Sequence, residues 1–271
     1  WGPAPDGEEY FAMALMFASA RWGDGEGIFN YSGEAQRLLD SCLHQGHRAG
    51  DDPSARPMWD ASNYLIRFVP DCDFSDPSYH LPHFYEIFAE RGPAIDRPFW
   101  KNAAEASRKY TALSCHPVTG LAPEYAFYDG KPNDKGPPAD HGDFYSDAYR
   151  VALNIGLDAL WNGPAEPLSQ AAARLLAFFA DKDPADLRRY AIDGQPLEEK
   201  ALHPVGLIAA NAAAAPAVLK AAGMSAKDEA GAKKAVRLFW ETPPRTGPRR
   251  YYDNCLYFFS LLILSGNYRV Y

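Results

Sequence analysis

Apolar residues recur at helical spacing along most of the chain. Between positions 34 and 44, Ala35, Leu38, Leu39, Cys42 and Leu43 fall at i, i+3, i+4, i+7 and i+8, the stripe of a half-buried helix. Positions 7–21 put Phe11, Ala14, Leu15 and Ala18 on one face. The same period predicts helices over 79–91, 97–113, 143–161, 169–180, 203–215, 226–240 and 252–264, about nine in all. Two starts carry cap chemistry. Asp6 with Glu9 reads as a capping box, and Asp76 precedes a proline suited to a first helical turn. Alternation is scarce, with 64–69 and 125–128 the best short strands. Segments 46–60, 116–142 and 181–202 read as long loops rich in Pro, Gly, Asp and aromatics. Loops of that length in a compact domain usually serve function. The pattern is all-α, with aromatic-rich loops gathered at helix ends.

The 271 residues fit one domain, 1–271, and 47% hydrophobic with 23% charged residues is globular composition. No apolar run approaches the ~20 residues of a membrane span, so a membrane partner is excluded. A net charge of −8 repels phosphate backbones, which argues against nucleic acid. Aromatics reach 14%, with 16 Tyr and 6 Trp, and Pro numbers 23. Tyr and Trp join an apolar face to a polar edge, which suits a surface meeting sugar rings. Four cysteines, Cys42, Cys72, Cys115 and Cys255, form no C-x-x-C pair, and Cys42 and Cys255 read as buried thiols. No signal-peptide pattern opens the chain, which is read as cytoplasmic.

Three carboxylates keep unusual company. Asp147 falls on one helical face with Phe144, Val151 and Asn154, and Arg150 follows at i+3. An inward carboxylate held ionised beside tyrosines is what a general base for water needs; a structural Asp–Arg helix pair is the plain alternative. Asp6 reads first as an N-cap, though a capping carboxylate can also offer an oxygen to a sugar hydroxyl. Asp76 reads as an N-cap, and Tyr79, one turn on, as either core or a phenol that could hold a water. The pairs His44/His47 and His80/His83 lack the third ligand and the H-E-x-x-H pattern of a catalytic zinc site, so no metal and no cofactor is expected. His203 sits before a helix and after a long loop. Nucleophile-elbow and phosphate-loop motifs are lacking.

Several stretches resemble glycoside hydrolase family 8, whose members are inverting (α/α)6 barrels. They are Gly-Pro-Ala-Pro-Asp-Gly-Glu-Glu-Tyr-Phe (2–11), Arg-Trp-Gly-Asp-Gly (21–25), Phe-Ser-Asp-Pro-Ser-Tyr-His-Leu-Pro-His-Phe-Tyr-Glu (74–86), Thr-Gly-Leu-Ala-Pro-Glu-Tyr-Ala (119–126), Tyr-Ser-Asp-Ala-Tyr-Arg (145–150), Leu-His-Pro-Val-Gly-Leu-Ile-Ala (202–209) and Arg-Arg-Tyr-Tyr-Asp-Asn-Cys-Leu-Tyr (249–257). Within the family the likeness is strongest to members that release xylose from the reducing end of β-1,4-xylooligosaccharides. The resemblance implies Asp147 as general base, Tyr79 as holder of the attacking water, Asp6 beside the sugar that is cleaved from its neighbour, and Arg150 as support of the base. It implies that His203 contacts the reducing-end xylose and that its loop blocks the cleft beyond that sugar. Tyr251, Tyr252 and Asp253 are candidate sugar contacts. The family's general acid is a Glu in an E-G-x-S-Y-G-type segment, and 1–271 holds none. About nine helices stand where six pairs make the barrel. The resemblance is therefore to the C-terminal portion of the family domain, and it implies an N-terminal segment or chain carrying the acid as a partner besides xylooligosaccharide. An endo-acting glycanase (xylanase, glucanase or chitosanase) and a non-catalytic sugar-binding remnant are the alternative readings.

Overall fold

The protein is described by a computed structural model covering residues 3–135 and 140–271. Its chain contacts divide into two compact units, Trp1–Ser75 with Tyr79–Ser107 and Val270–Tyr271, and Asp76–Ser78 with Arg108–Arg269. The described residues form ten α-helices and little strand, as the apolar periodicity leads one to expect. None of these helices is long and apolar enough to cross a membrane.

In the first unit, α1 (Pro5–Trp22) packs on α2 (Tyr31–His44). The α2 stripe buries Ala35, Leu39, Cys42 and Leu43 as its spacing requires. The α1 face differs from the sequence reading. Glu9, Ala12, Met13 and Met16 are buried, whereas Phe11 is 69% exposed. Small apolar residues surround this helix almost completely, so the stripe alone does not select a face. A polar contact does, because the Tyr85 hydroxyl donates to the Glu9 carboxylate. Asp6 is not the N-cap: Ala4 is, without a side-chain bond, and Pro5 begins the helix. The capping box is therefore absent. Glu9 is turned inward and cannot reach back to a cap.

Helix α3 (Pro82–Arg91) begins later than 79, after a short turn at Pro77–Tyr79, and α4 (Arg97–Ser114) continues into the second unit. Trp59 and Trp100 meet edge to face at 5.1 Å and centre an aromatic core with Tyr85 and Phe88. Segment 64–69 is no strand; Ile66 makes only a single bridge to Trp59. One member of each histidine pair has a polar partner. His80 sits between the Ser75 and Ser107 hydroxyls, each at 2.9 Å, and burial lowers it to about 3, so the ring is neutral. His44 contacts the Asp96 carboxylate at 2.8 Å.

The second unit holds α5 (Tyr149–Asn162), α6 (Glu166–Phe179), α7 (Pro204–Ala213), α8 (Ala215–Leu219), α9 (Ala226–Glu241) and α10 (Arg250–Leu264). Helix α7 packs against α10, α5 and α9. Gly156 lets α5 approach this layer, since a Cβ there would lie 1.7 Å from the Ala213 carbonyl oxygen. Loop 181–202 is not structureless. Arg188–Tyr190 and Pro196–Lys200 pair antiparallel as a hairpin. Loop 116–142 contains the two-residue strand Ala126–Phe127 inside the expected 125–128, while its residues 136–139 lie outside the described ones.

Candidate active site

The polypeptide around Asp147 differs from the sequence expectation. Residues 143–145 are extended, Ser146–Ala148 form one tight turn, and α5 starts only at Tyr149. Phe144 is not one helical turn behind Asp147. Its N–H donates to the Tyr190 carbonyl at 2.8 Å and its carbonyl accepts the Tyr190 N–H at 3.2 Å. Tertiary pairing with the hairpin has overridden the local helical period here. Asp147 thus stands at the mouth of α5, near the positive end of its dipole, with a side chain 38% exposed.

Arg150 reaches two carboxylates from the first turn of α5. Its Nη2 lies 3.5 Å from Asp147 Oδ1 and 3.4 Å from Asp76 Oδ2. Asp76 is wholly buried, and its Oδ1 accepts the Ser78 N–H at 2.7 Å. The cap role read from sequence is therefore present, for the short turn Pro77–Tyr79. Burial raises the Asp76 carboxyl to about 8, with nearby Asp147 pushing the same way and Arg150 opposing. Asn154, one turn further along α5, donates to the Ser78 carbonyl at 2.8 Å and ties the Asp76 turn to the same helix.

On the other side stands Glu124, only 3% exposed. Its Oε1 accepts the Asp147 N–H at 3.2 Å, and its Oε2 meets His141 Nδ1 at 2.8 Å. Burial raises its carboxyl, as does Asp147, while the Asp147 N–H and His141 oppose them.

A second cluster lies where α7 begins. His203 occupies the N-cap position, followed by Pro204. Its Nδ1 lies 2.9 Å from Asp253 Oδ2, and with Nδ1 as donor to that carboxylate Nε2 is left to accept. The Asp253 carboxylate also accepts the Gly206 N–H at 2.8 Å and Arg245 Nη1 at 2.6 Å. Burial would raise this carboxyl, but these three donors outweigh it and hold it below its ordinary value. Asp253 is wholly buried, so the geometry suits orienting His203 better than touching a sugar. Tyr252 packs its ring on His203 at 4.6 Å. Tyr251, the neighbour on α10, turns outward and is 81% exposed. The hairpin joins the clusters: Ala201 N–H donates to the Leu187 carbonyl at 2.9 Å, Phe144 pairs with Tyr190, and two residues further the chain reaches His203.

The structure thus brings Asp147 to Arg150, and His203 to Tyr252 and Asp253. Asp6 and Tyr79 belong to the first unit. There Asp6 is half-buried at the start of α1, and Tyr79 stacks on Phe68 at 5.9 Å. Sequence reasoning gave no role to Glu124 or Arg245. Glu124 did leave a signal: it is the lone charge in the apolar run from Leu121 to Ala126, and such a residue must find partners inside. Arg245 left none, because its partner Asp253 is eight positions away across a loop.

The chain is 58% identical over 271 residues to a reducing end xylose-releasing exo-oligoxylanase of Halalkalibacterium halodurans, covering 100% of this chain and 66% of that protein. It is 53% identical over 268 residues to such an enzyme of Bifidobacterium adolescentis, covering 99% and 68%. Against endoglucanase C of Ruminiclostridium cellulolyticum the identity is 27% over 269 residues, covering 98% and 52%. The chain therefore spans about two thirds of the length of the exo-oligoxylanases it matches. It superimposes on a crystal structure of a reducing-end-xylose releasing exo-oligoxylanase complexed with xylose with a TM-score of 0.92 at 57% identity, over 100% of this chain and 68% of that one. The all-α expectation stands, and with it the (α/α)6-barrel class. The sequence profile of Glycosyl hydrolases family 8 matches residues 1–266, and the chain belongs to that family.

Proposed function

We propose that this chain forms the water-activating part of an inverting glycoside hydrolase that releases xylose from the reducing end of β-1,4-xylooligosaccharides. The observation that carries the reading is Asp147: a half-exposed carboxylate at a helix mouth, with Arg150 at 3.5 Å and its backbone anchored by Glu124. In the reaction Asp147 takes a proton from water as that water attacks the anomeric carbon, and a carboxylic acid protonates the departing oxygen. The acid is a Glu that is not among residues 1–271. Tyr79 holds the water and Asp6 the adjacent sugar. His203, with Nε2 free to accept, takes the anomeric hydroxyl of the released xylose, and its loop ends the cleft. Identities of 53–58% to exo-oligoxylanases against 26–27% to endoglucanases support the exo reading over an endo-acting one. Four cysteines without disulfides suit a reducing compartment such as the cytoplasm.

The test uses the natural full-length product. Asp147→Asn should lower turnover about 10²–10⁴-fold while binding of xylobiose by calorimetry persists. On xylotriose the wild type should yield xylose and xylobiose with no transient longer products. Near-normal turnover of Asp147→Asn would overturn the reading.

A further inference from the structure

Helix α5 begins with no side-chain cap of its own. The turn Ser146–Ala148 ahead of it has no side-chain cap either, and the Asp147 N–H in that turn needs an acceptor. The acceptor comes from another segment. Glu124 Oε1 takes the Asp147 N–H at 3.2 Å. The second oxygen, Oε2, is held at 2.8 Å by His141 Nδ1, and the His141 ring stacks on Tyr125 at 4.3 Å. The backbone locks the same pieces together: Glu124 N–H donates to the Asp143 carbonyl at 2.9 Å, and Tyr125 N–H to the His141 carbonyl at 2.8 Å. The backbone of residue 147 is thereby tied through Glu124 to residues 125 and 141.

We propose that Glu124, clamped by His141, is a positioning residue for the water-activating carboxylate, fixing the backbone of Asp147. This inference rests on the reading of Asp147 as general base. The groups facing Glu124 are few. Asp147 and His141 stand beside its carboxylate, and Tyr125, Tyr145 and Tyr149 are phenols that burial keeps neutral. An acceptor held against the Asp147 N–H fixes the direction in which that residue's side chain leaves the backbone.

The experiment measures kcat and KM of the full-length product on xylotriose for Glu124→Gln, Glu124→Ala, His141→Ala, His141→Asn and Asp147→Asn. Displacement of a reacting group by about 1 Å costs up to ~10²-fold. Glu124→Ala should therefore lose between about 10- and 100-fold in kcat with KM little changed. Glu124→Gln keeps an acceptor for the Asp147 N–H, so it should retain most of the kcat that Glu124→Ala loses. His141→Ala should slow turnover, and His141→Asn, whose amide nitrogen can stand where Nδ1 does, should restore it. The clamp is overturned if the Glu124 variants match wild type, or if Glu124→Gln loses as much kcat as Glu124→Ala, which is a merely structural effect. Should Glu124→Gln not fold, the His141 pair decides: equal kcat for both variants and wild type overturns the clamp. Asp147→Asn separates the two readings. If it stays active, the proposed function itself falls; if it is dead while the others are normal, only the clamp does.

Discussion

A histidine that is to distinguish one end of a sugar from the other needs a fixed tautomer, and here Asp253 supplies it. Its carboxylate accepts from His203 Nδ1, from Arg245 and from Gly206, so only Nε2 is left to face a hydroxyl. His203→Ala should therefore weaken the preference for a free reducing end. The measurement is the ratio of kcat/KM on xylotriose to that on its reduced alditol, and an unchanged ratio removes His203 from recognition. Asp253→Asn is the sharper probe. An amide can present its NH2 to Nδ1, reversing the tautomer and turning Nε2 from acceptor to donor; the ratio should fall by about 10-fold, the value of one well-made polar contact. The contact of Arg150 with Asp147 was legible because the two stand at i and i+3, and the place of His203 at a helix start because Pro204 follows it. The sequence left Glu124, Arg245 and the inward turn of Asp253 unread, because their partners lie far away along the chain and only tertiary structure selects them.

The helices were legible where one stripe was plainly richer than the rest, as in α2. They were misread where composition is nearly uniform, as in α1, or where a competing bond to another segment exists, as at Phe144. The hairpin 188–200 escaped because Arg188-Arg-Tyr190 and Pro196-Leu-Glu-Glu-Lys200 carry little apolar alternation; its edges are held by Tyr190 to Phe144 instead. Close helix contact left one trace in the sequence, the glycine in the middle of α5. Gly is a poor helix former, worth about 1 kcal/mol less than Ala, and Gly156 stands where a Cβ would meet the Ala213 carbonyl oxygen at 1.7 Å and Ala214 Cα at 3.1 Å. Neither neighbour is a flexible side-chain end. Gly156→Ala should thus destabilise in spite of its better helix propensity, by about 1–3 kcal/mol or more from overpacking. Thermal unfolding reads this as a melting point lower by about 2–4 °C per kcal/mol. A melting point equal to wild type would mean that α5 and α7 are not as close as the packing requires.

Across the whole molecule, buried carboxylates set how stability responds to pH, and two of them act in opposite senses. Asp253 is held below its ordinary value by three donors that outweigh its burial. Its contribution is present above the unfolded pKa of about 3.9 and is lost as pH falls through the lower folded value. Asp76 is the reverse: burial raises it to about 8. Between about pH 4 and that value the unfolded chain has released this proton and the folded chain still holds it. Stability therefore falls as pH rises through that window, by up to about 1.4 kcal/mol per pH unit from this one group. The net charge of −8 pushes the same way, since ionising carboxylates add self-repulsion. Taken alone, these two groups favour a maximum at about pH 4, where Asp253 is ionised and Asp76 still holds its proton in the folded chain. Asp76→Asn keeps the acceptor for the Ser78 N–H and removes the proton that titrates. Its denaturation midpoint in urea should be flatter than that of wild type between pH 5 and pH 8, and the two should converge only below about pH 4, where Asp76 is protonated in both states. Parallel curves across the window would mean that Arg150 keeps Asp76 ionised, and that the guanidinium is shared between two carboxylates instead of serving Asp147 alone.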